Sequence, residues 1–218
     1  MATSTPLRKR AAESRRIARQ LIAQPRAAAT VGRLARRSAN WEAGEPWWNG
    51  RAIRYLSKHV LPGHRVFEWG CGGSTVWLAR RGIVVTSVEH DPAWAAKVAD
   101  CCPEADVRLI PGTQDGHFRS EPELRDRGQH FFDRYVAEID HLDDQSVDIV
   151  LVDGLCRLEC IRRGAPKVKP GGMLIVDDTD FPFLTASAKQ LAGWPAIRLS
   201  GFKRPLDVRE TTFFHKLP

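Results

Sequence analysis

Glu68 closes a short apolar run, Val66-Phe67, and opens onto a glycine cluster, Trp69-Gly70-Cys71-Gly72-Gly73-Ser74-Thr75. Glycines at such a junction let a ligand touch bare backbone, and Ser74-Thr75 can start the helical pattern that follows. A second acid, Glu89, ends the next strand-like run, Ile83–Val88, and lies 19 residues after Gly70. That is close to the ~20-residue spacing that brings a carboxylate to a ribose diol in a βαβ nucleotide site. Further on, two more strand patterns end in Asp153 and in Asp177-Asp178. Ligands of open α/β sheets bind beyond the carboxyl ends of the strands. Four acid-tipped strands therefore predict one rim, with the first two acids for a nucleoside and the last two for a reacting partner.

The nucleoside is not a typical dinucleotide. Gly70 and Gly72 fit a G-x-G-x-x-G pattern, but its third glycine position holds Thr75. Glu68 just before the loop repels a pyrophosphate and suits an ammonium, held directly or through a water. S-adenosylmethionine carries an ammonium, a sulfonium and a ribose, and matches Glu68 plus Glu89 better than NAD does.

Glu68-Trp69-Gly70-Cys71-Gly72-Gly73-Ser74-Thr75 resembles motif I of class I S-adenosylmethionine-dependent methyltransferases, and Val88-Glu89-His90-Asp91 resembles their following acidic motif. Val147 to Gly154 is similar to their fourth strand, and Gly171 to Asp178 to their fifth. The four stretches keep the family's order over roughly residues 47 to 216. The resemblance implies a Rossmann-like, doubly wound α/β fold with a seven-stranded sheet, mostly parallel with one antiparallel strand, and helices on both faces. It implies a methyltransferase acting on a small molecule, with oxygen (hydroxyl or carboxylate) as the first expectation. The expected cofactor set is Glu68, Gly70, Cys71, Gly72, Ser74, Thr75, Glu89, His90 and Thr113; the expected catalytic set is Asp153, Arg157, Asp177 and Asp178. Asp153, Asp177 and Asp178 are also similar to the magnesium ligands of catechol-type O-methyltransferases. Two departures, Asp178 where Asn is usual and Gly154-Leu155-Cys156-Arg157 without a lysine, place Mg²⁺ below a metal-free reading.

The elements that must position these residues are legible in outline. An amphipathic helix runs through Ala52, Leu56 and Val60. Strands are expected at 65–68, 83–88, 106–110, 148–152 and 173–176, with an antiparallel pair at 198–201 and 211–215. Asp91 and Pro92 predict a capped helix over 92–101. Phe131 to Leu142 suggests one helix, 113–129 a loop over the site, and 157–168 and 183–192 two more helices. Pro170-Gly171-Gly172 reads as a turn. Trp47 and Trp48 are expected to pack or to stack on a ring; Trp77, Trp94 and Trp194 are expected to pack between helices and sheet.

Charge divides the chain. Residues 1–40 hold ten Lys/Arg and one acid, whereas the whole chain is +7. The expected organisation is a basic helical arm, 1–40, ahead of a methyltransferase domain, 41–218. The arm keeps alternatives open: an RNA or nucleic-acid methyltransferase, weak contact with a membrane surface, exchange in a homo-oligomer, or a non-catalytic adenosyl-binding module. Against nucleic acid, the strand-four motif lacks the Asn/Asp-Pro-Pro-Tyr pattern associated with base methylation. Five cysteines in no paired pattern argue against disulfides and structural zinc, and point to a cytoplasmic setting. No apolar run reaches the roughly 18 residues of a membrane span.

Overall fold

Strands buried on both faces read as continuous apolar runs, and each of their alternate residues must find its own core. Val147–Val152, β4, does this: Ile149 and Leu151 join one apolar cluster, Val150 and Val152 the other. β1, Arg65–Trp69, splits likewise, Val66 to one side and Phe67 and Trp69 to the other. The structure is a computed structural model that describes Arg15, Ile17, Ala18 and Ile22 and residues 44–121, 124, 128–182, 184, 191–204 and 207–218.

Seven strands form one sheet. β2 is Val84–Glu89, β3 Asp106–Leu109, β5 Val168–Val176, β6 Ala196–Arg204 and β7 Asp207–His215. The order is β3-β2-β1-β4-β5-β7-β6. β1 to β5 pair in parallel, and β7 runs antiparallel to both β5 and β6. The order reverses at β1, whose neighbours are β2 and β4, so the crevice for a ligand opens above the tips of these three strands. The described residues carry the expected doubly wound sheet with its single reversed strand.

Helices cover both faces. α1 is Gly50–Leu56, α2 Gly73–Ala79, α3 Pro92–Cys101, α4 Asp133–Ala137 and α5 Arg157–Lys167. α1 and α2 seal the face of Trp48, Trp77, Ile149 and Phe213; α4 and α5 seal the face of Trp69, Tyr135, Ile161 and Phe214. α3 spans the expected residues, with the Asp91 carboxylate accepting from the Ala93 and Trp94 N–H groups and Pro92 at the first helical position.

Some expectations change. α1 stops at Leu56, short of Val60. The stretch 131–142 is α4 followed by a tighter 3₁₀ turn, Glu138–His141, rather than one helix. β5 begins at Val168, so Pro170-Gly171-Gly172 is an irregularity inside the strand, with Gly171 at φ +76°, instead of a free turn before it; the C-terminal tail holds it through Gly171 N–H to Lys216 O, 3.0 Å, and Lys216 N–H to Gly172 O, 2.9 Å. Most of the expected helix over 183–192 and most of the arm lie outside the described residues.

One buried side chain locks the approach segment to the reversed edge. Asn49 is fully buried and caps α1, its Oδ1 accepting from the Arg51 and Ala52 N–H groups. Its Nδ2 donates to Leu199 O at 2.8 Å and to Thr211 Oγ1 at 3.3 Å, on β6 and β7. Removing a cap that also satisfies buried groups costs about 1–3 kcal/mol. Asn49→Ala should lower the urea midpoint accordingly with an unchanged slope; an unaltered midpoint would show that Asn49 does not carry this junction.

Candidate functional site

Two glycines set how close the strand tips come. A Cβ on Gly70, which has φ +93°, would lie 2.9 Å from the backbone N and Cα of Gly154, just past β4. A Cβ on Gly154 would strike the Tyr135 hydroxyl and lie 3.1 Å from Gly70 N. The loops after β1 and β4 therefore touch backbone to backbone. A cleft of about 280 Å³ opens above them. One wall is the glycine loop, Gly70 to Ser74, with Glu89, His90 and Trp94; the other is Asp153, Arg157, Asp178 and Lys203, with Trp47 and Leu124 beside them.

On the first wall, Glu89 is buried at the end of β2. Its Oε1 accepts from the His90 and Asp91 N–H groups at 2.8 and 2.9 Å and lies 2.6 Å from His90 Nδ1. The Trp94 indole N–H donates to Cys71 O at 2.7 Å, which fixes one ring across the loop, and Trp47 faces it with centroids 6.3 Å apart. Gly72 has only that Trp94 ring within 4 Å of its would-be Cβ, at 3.7 Å, so the loop presents an open backbone cradle. Burial, then the neighbouring Glu89 and Glu68 charges, push the Cys71 thiol up. A thiol so raised is no nucleophile.

Glu68 requires a correction. Its side chain is fully buried and is not among the cleft residues. It accepts from the Ser74 hydroxyl, from Thr75 Oγ1 at 2.6 Å and from Ser87 Oγ at 2.9 Å. Thr75 in turn accepts from Gly72 N–H at 2.9 Å. Three hydroxyls engage the carboxylate beneath the loop, so it ties β1, β2 and α2 together rather than meeting an ammonium directly. Thr75 is likewise fully buried behind the loop. Thr113 is exposed and off the cleft, with its hydroxyl donating to Asp115 O at 2.7 Å. Gly70, Cys71, Gly72, Ser74, Glu89 and His90 come together as expected.

The second wall is a charge network. Asp153 Oδ2 accepts the Trp48 indole N–H at 3.0 Å, and its Oδ1 lies 3.3 Å from Arg157 NH2. Arg157 is buried, donates through NH1 to Asp177 O at 2.5 Å, and has the same nitrogen 3.8 Å from Asp178 Oδ2. Lys203 Nζ lies 2.6 Å from Asp177 Oδ2 and 3.1 Å from each Asp178 oxygen. Asp177 also accepts from Thr211 Oγ1 at 2.5 Å and sits under the cleft rather than in its wall. Burial and the neighbouring Asp178 charge push the Asp177 carboxyl up, and Lys203 opposes them by holding its anion. Burial opposes the charge on Lys203, but the surrounding carboxylates, Asp177 first, outweigh it and hold it as an ammonium. Cys156, at φ +51°, and Asp178, at φ +54°, bend the backbone on either side of this network; such conformations persist only where surroundings fix them.

Asp153, Asp177 and Asp178 place ligand oxygens within 4.8 Å of one another. That hard-oxygen set suits a divalent ion in kind, but Lys203 and Arg157 already balance it. Mg²⁺ does not fit without displacing Lys203. Trp48, Trp94 and Lys203 were not in the expected site. Trp94 looked like packing, and Lys203 sits in a Lys-Arg-Pro stretch that reads as solvated charge.

The methyltransferase domain family matches residues 67–179, just over half of the chain. The chain belongs to that family. It is an S-adenosylmethionine-dependent methyltransferase, and the bare loop, Glu89 and the Trp94 wall fit that cofactor. An O-methyltransferase from Bacillus cereus, in complex with SAH, superposes with a TM-score of 0.55 at 14% identity, covering 82% of this chain and 86% of that one. A methyltransferase-like protein from Silicibacter pomeroyi gives a TM-score of 0.54 at 21% identity, over 79% of this chain and 91% of that one. At these identities the likeness is one of fold. No curated protein matches the sequence. Among the described residues no helix is long and apolar enough to cross a membrane.

Burial raises the Glu68 carboxyl from 4.5 to about 7, against the three hydroxyls that lower it. The folded state then holds the proton more tightly than the unfolded one. Stability falls as pH rises between about 4.5 and about 7, on the order of 3 kcal/mol in all, and is level above that range. Glu68→Gln should remove this slope. Urea unfolding of both proteins near pH 5 and near pH 8 checks it; parallel pH profiles would contradict the burial argument.

Proposed function

We propose that this methyltransferase acts on an oxygen of a small molecule held between Trp47 and the Asp153 wall. The carrying observation is that Asp153 lines the cleft with both oxygens oriented from behind, one by the Trp48 indole and one by Arg157. A carboxylate held in this way is placed to take or share a hydroxyl proton, because its rotamer is fixed before the acceptor arrives. The Trp47 ring beside Asp153, in a cleft shared with the cofactor, suits a compact acceptor. The acids at the mouth disfavour a polyanion such as RNA.

S-adenosylmethionine, when bound, supplies an electrophilic methyl group. The chain's own residues do the rest. Glu89, its Oε1 pinned by two N–H groups, is assigned to the ribose hydroxyls. The loop of Gly70, Cys71, Gly72 and Ser74 is assigned to the cradle for the remaining cofactor, and His90 and Trp94 to its walls. Arg157 orients Asp153, and Asp178 closes the acceptor end.

Two substitutions separate these roles. Glu89→Ala should weaken S-adenosylmethionine binding by tenfold or more in equilibrium dialysis with an unchanged circular dichroism spectrum. Asp153→Asn should leave that binding within about twofold and reduce methyl transfer, on an acceptor found by screening phenols, carboxylic acids and sugars, by about 10²-fold or more. Full turnover by Asp153→Asn would remove Asp153 from the reaction.

A further inference from the structure

β6 and β7 pair residue against residue as far as Phe202 with Val208, and resume at Arg204 with Asp207. Lys203 is one extra residue in β6 with nothing opposite it. Bulges of this kind re-aim a side chain and recur beside active sites. Here the bulge turns a lysine out of the ladder and into the acid cluster, where its side chain is 12% exposed and forms part of the cleft wall.

The three carboxylates around it are spaced for a divalent cation. We propose that the Lys203 ammonium is the resident cation of this cluster in place of a metal, and that it faces an acidic acceptor oxygen, that of a phenol, an enol or a carboxylic acid. The inference rests on the methyl-transfer reading of the cleft and assigns its acceptor class. An ammonium has three N–H groups. One goes to Asp177 Oδ2, and one is shared by the two equidistant oxygens of Asp178. The third is left for the cleft. Its partners fix where it points, since Asp177 is itself held by Thr211 and Arg157 spans from Asp153 to Asp178. The remaining N–H meets the charge that develops on an acceptor oxygen as its proton leaves, and so favours the ionised oxygen over what the same cluster would do without the ammonium. Asp153 stays available on the same wall for that proton.

The test uses the full chain and three measurements. Mn²⁺ is titrated and followed by electron paramagnetic resonance. S-adenosylhomocysteine binding is followed by calorimetry. 4-Nitrophenol, a small acidic phenol whose anion is coloured, is titrated with protein saturated in S-adenosylhomocysteine. The expected results are a free Mn²⁺ signal with wild type and with Lys203→Arg, and capture of one Mn²⁺ per chain by Lys203→Ala. The bound phenolate fraction should be larger for wild type than for Lys203→Ala. Mn²⁺ capture by wild type overturns the proposal, as does a Lys203→Ala protein that binds S-adenosylhomocysteine and captures no Mn²⁺. Equal phenolate fractions overturn the acceptor assignment. Lys203→Ser serves if Lys203→Ala does not fold, and the wild-type arm decides in either case. Loss of S-adenosylhomocysteine binding by wild type instead sinks the methyl-transfer reading, and is distinguishable because the Mn²⁺ result does not depend on it.

Discussion

The site depends on a contact that no side chain makes. The loops leaving β1 and β4 meet backbone to backbone at Gly70 and Gly154, with no space for a Cβ on either. This contact brings the glycine cradle and the Asp153 wall into one cleft. It also explains why both positions must be glycine for different reasons. Gly70 needs a positive φ as well as space, whereas Gly154 needs only space above the Tyr135 hydroxyl.

Beneath the contact, two buried acids do structural work of opposite kinds. Glu68 takes hydrogen bonds from three hydroxyls and ties three elements of the cofactor half. Asp177 is balanced by an ammonium and ties β5 to the reversed hairpin. Removing one partner of such a buried pair leaves an uncompensated charge and costs several kcal/mol, roughly 3–5. The acceptor half is therefore built on charge pairing and the cofactor half on neutral hydrogen bonds. The approach segment joins them: Trp47 borders the cleft, Trp48 donates to Asp153, and Asn49 locks onto β6 and β7.

Local patterns that carry their own physics were legible in the sequence. The apolar runs of β1, β2 and β4, the Asp91-Pro92 start of α3 and the acid-tipped strand ends all appear where their residue types demand. Glu68 was misplaced because a sequence cannot say which side of a strand tip a carboxylate takes; Ser74, Thr75 and Ser87 claim it from the core side. Lys203 was invisible for a different reason. Its role comes from a bulge and from pairing with residues 25 and 26 positions away, and nothing in its neighbourhood distinguishes it from a surface lysine. Trp94 sits on a helix whose spacing suggested packing, and only the approach of α3 to the glycine loop makes its ring a cleft wall.

The most direct test of the central claim is a crystal structure of the full chain grown with S-adenosylhomocysteine. Density for the adenosyl group over the β1 and β2 tips, with the ribose on Glu89 and the sulfur end directed toward Asp153, is the predicted result. A cleft without ligand at saturating concentration, or ligand bound elsewhere with the Gly70–Gly154 contact unengaged, would contradict the account.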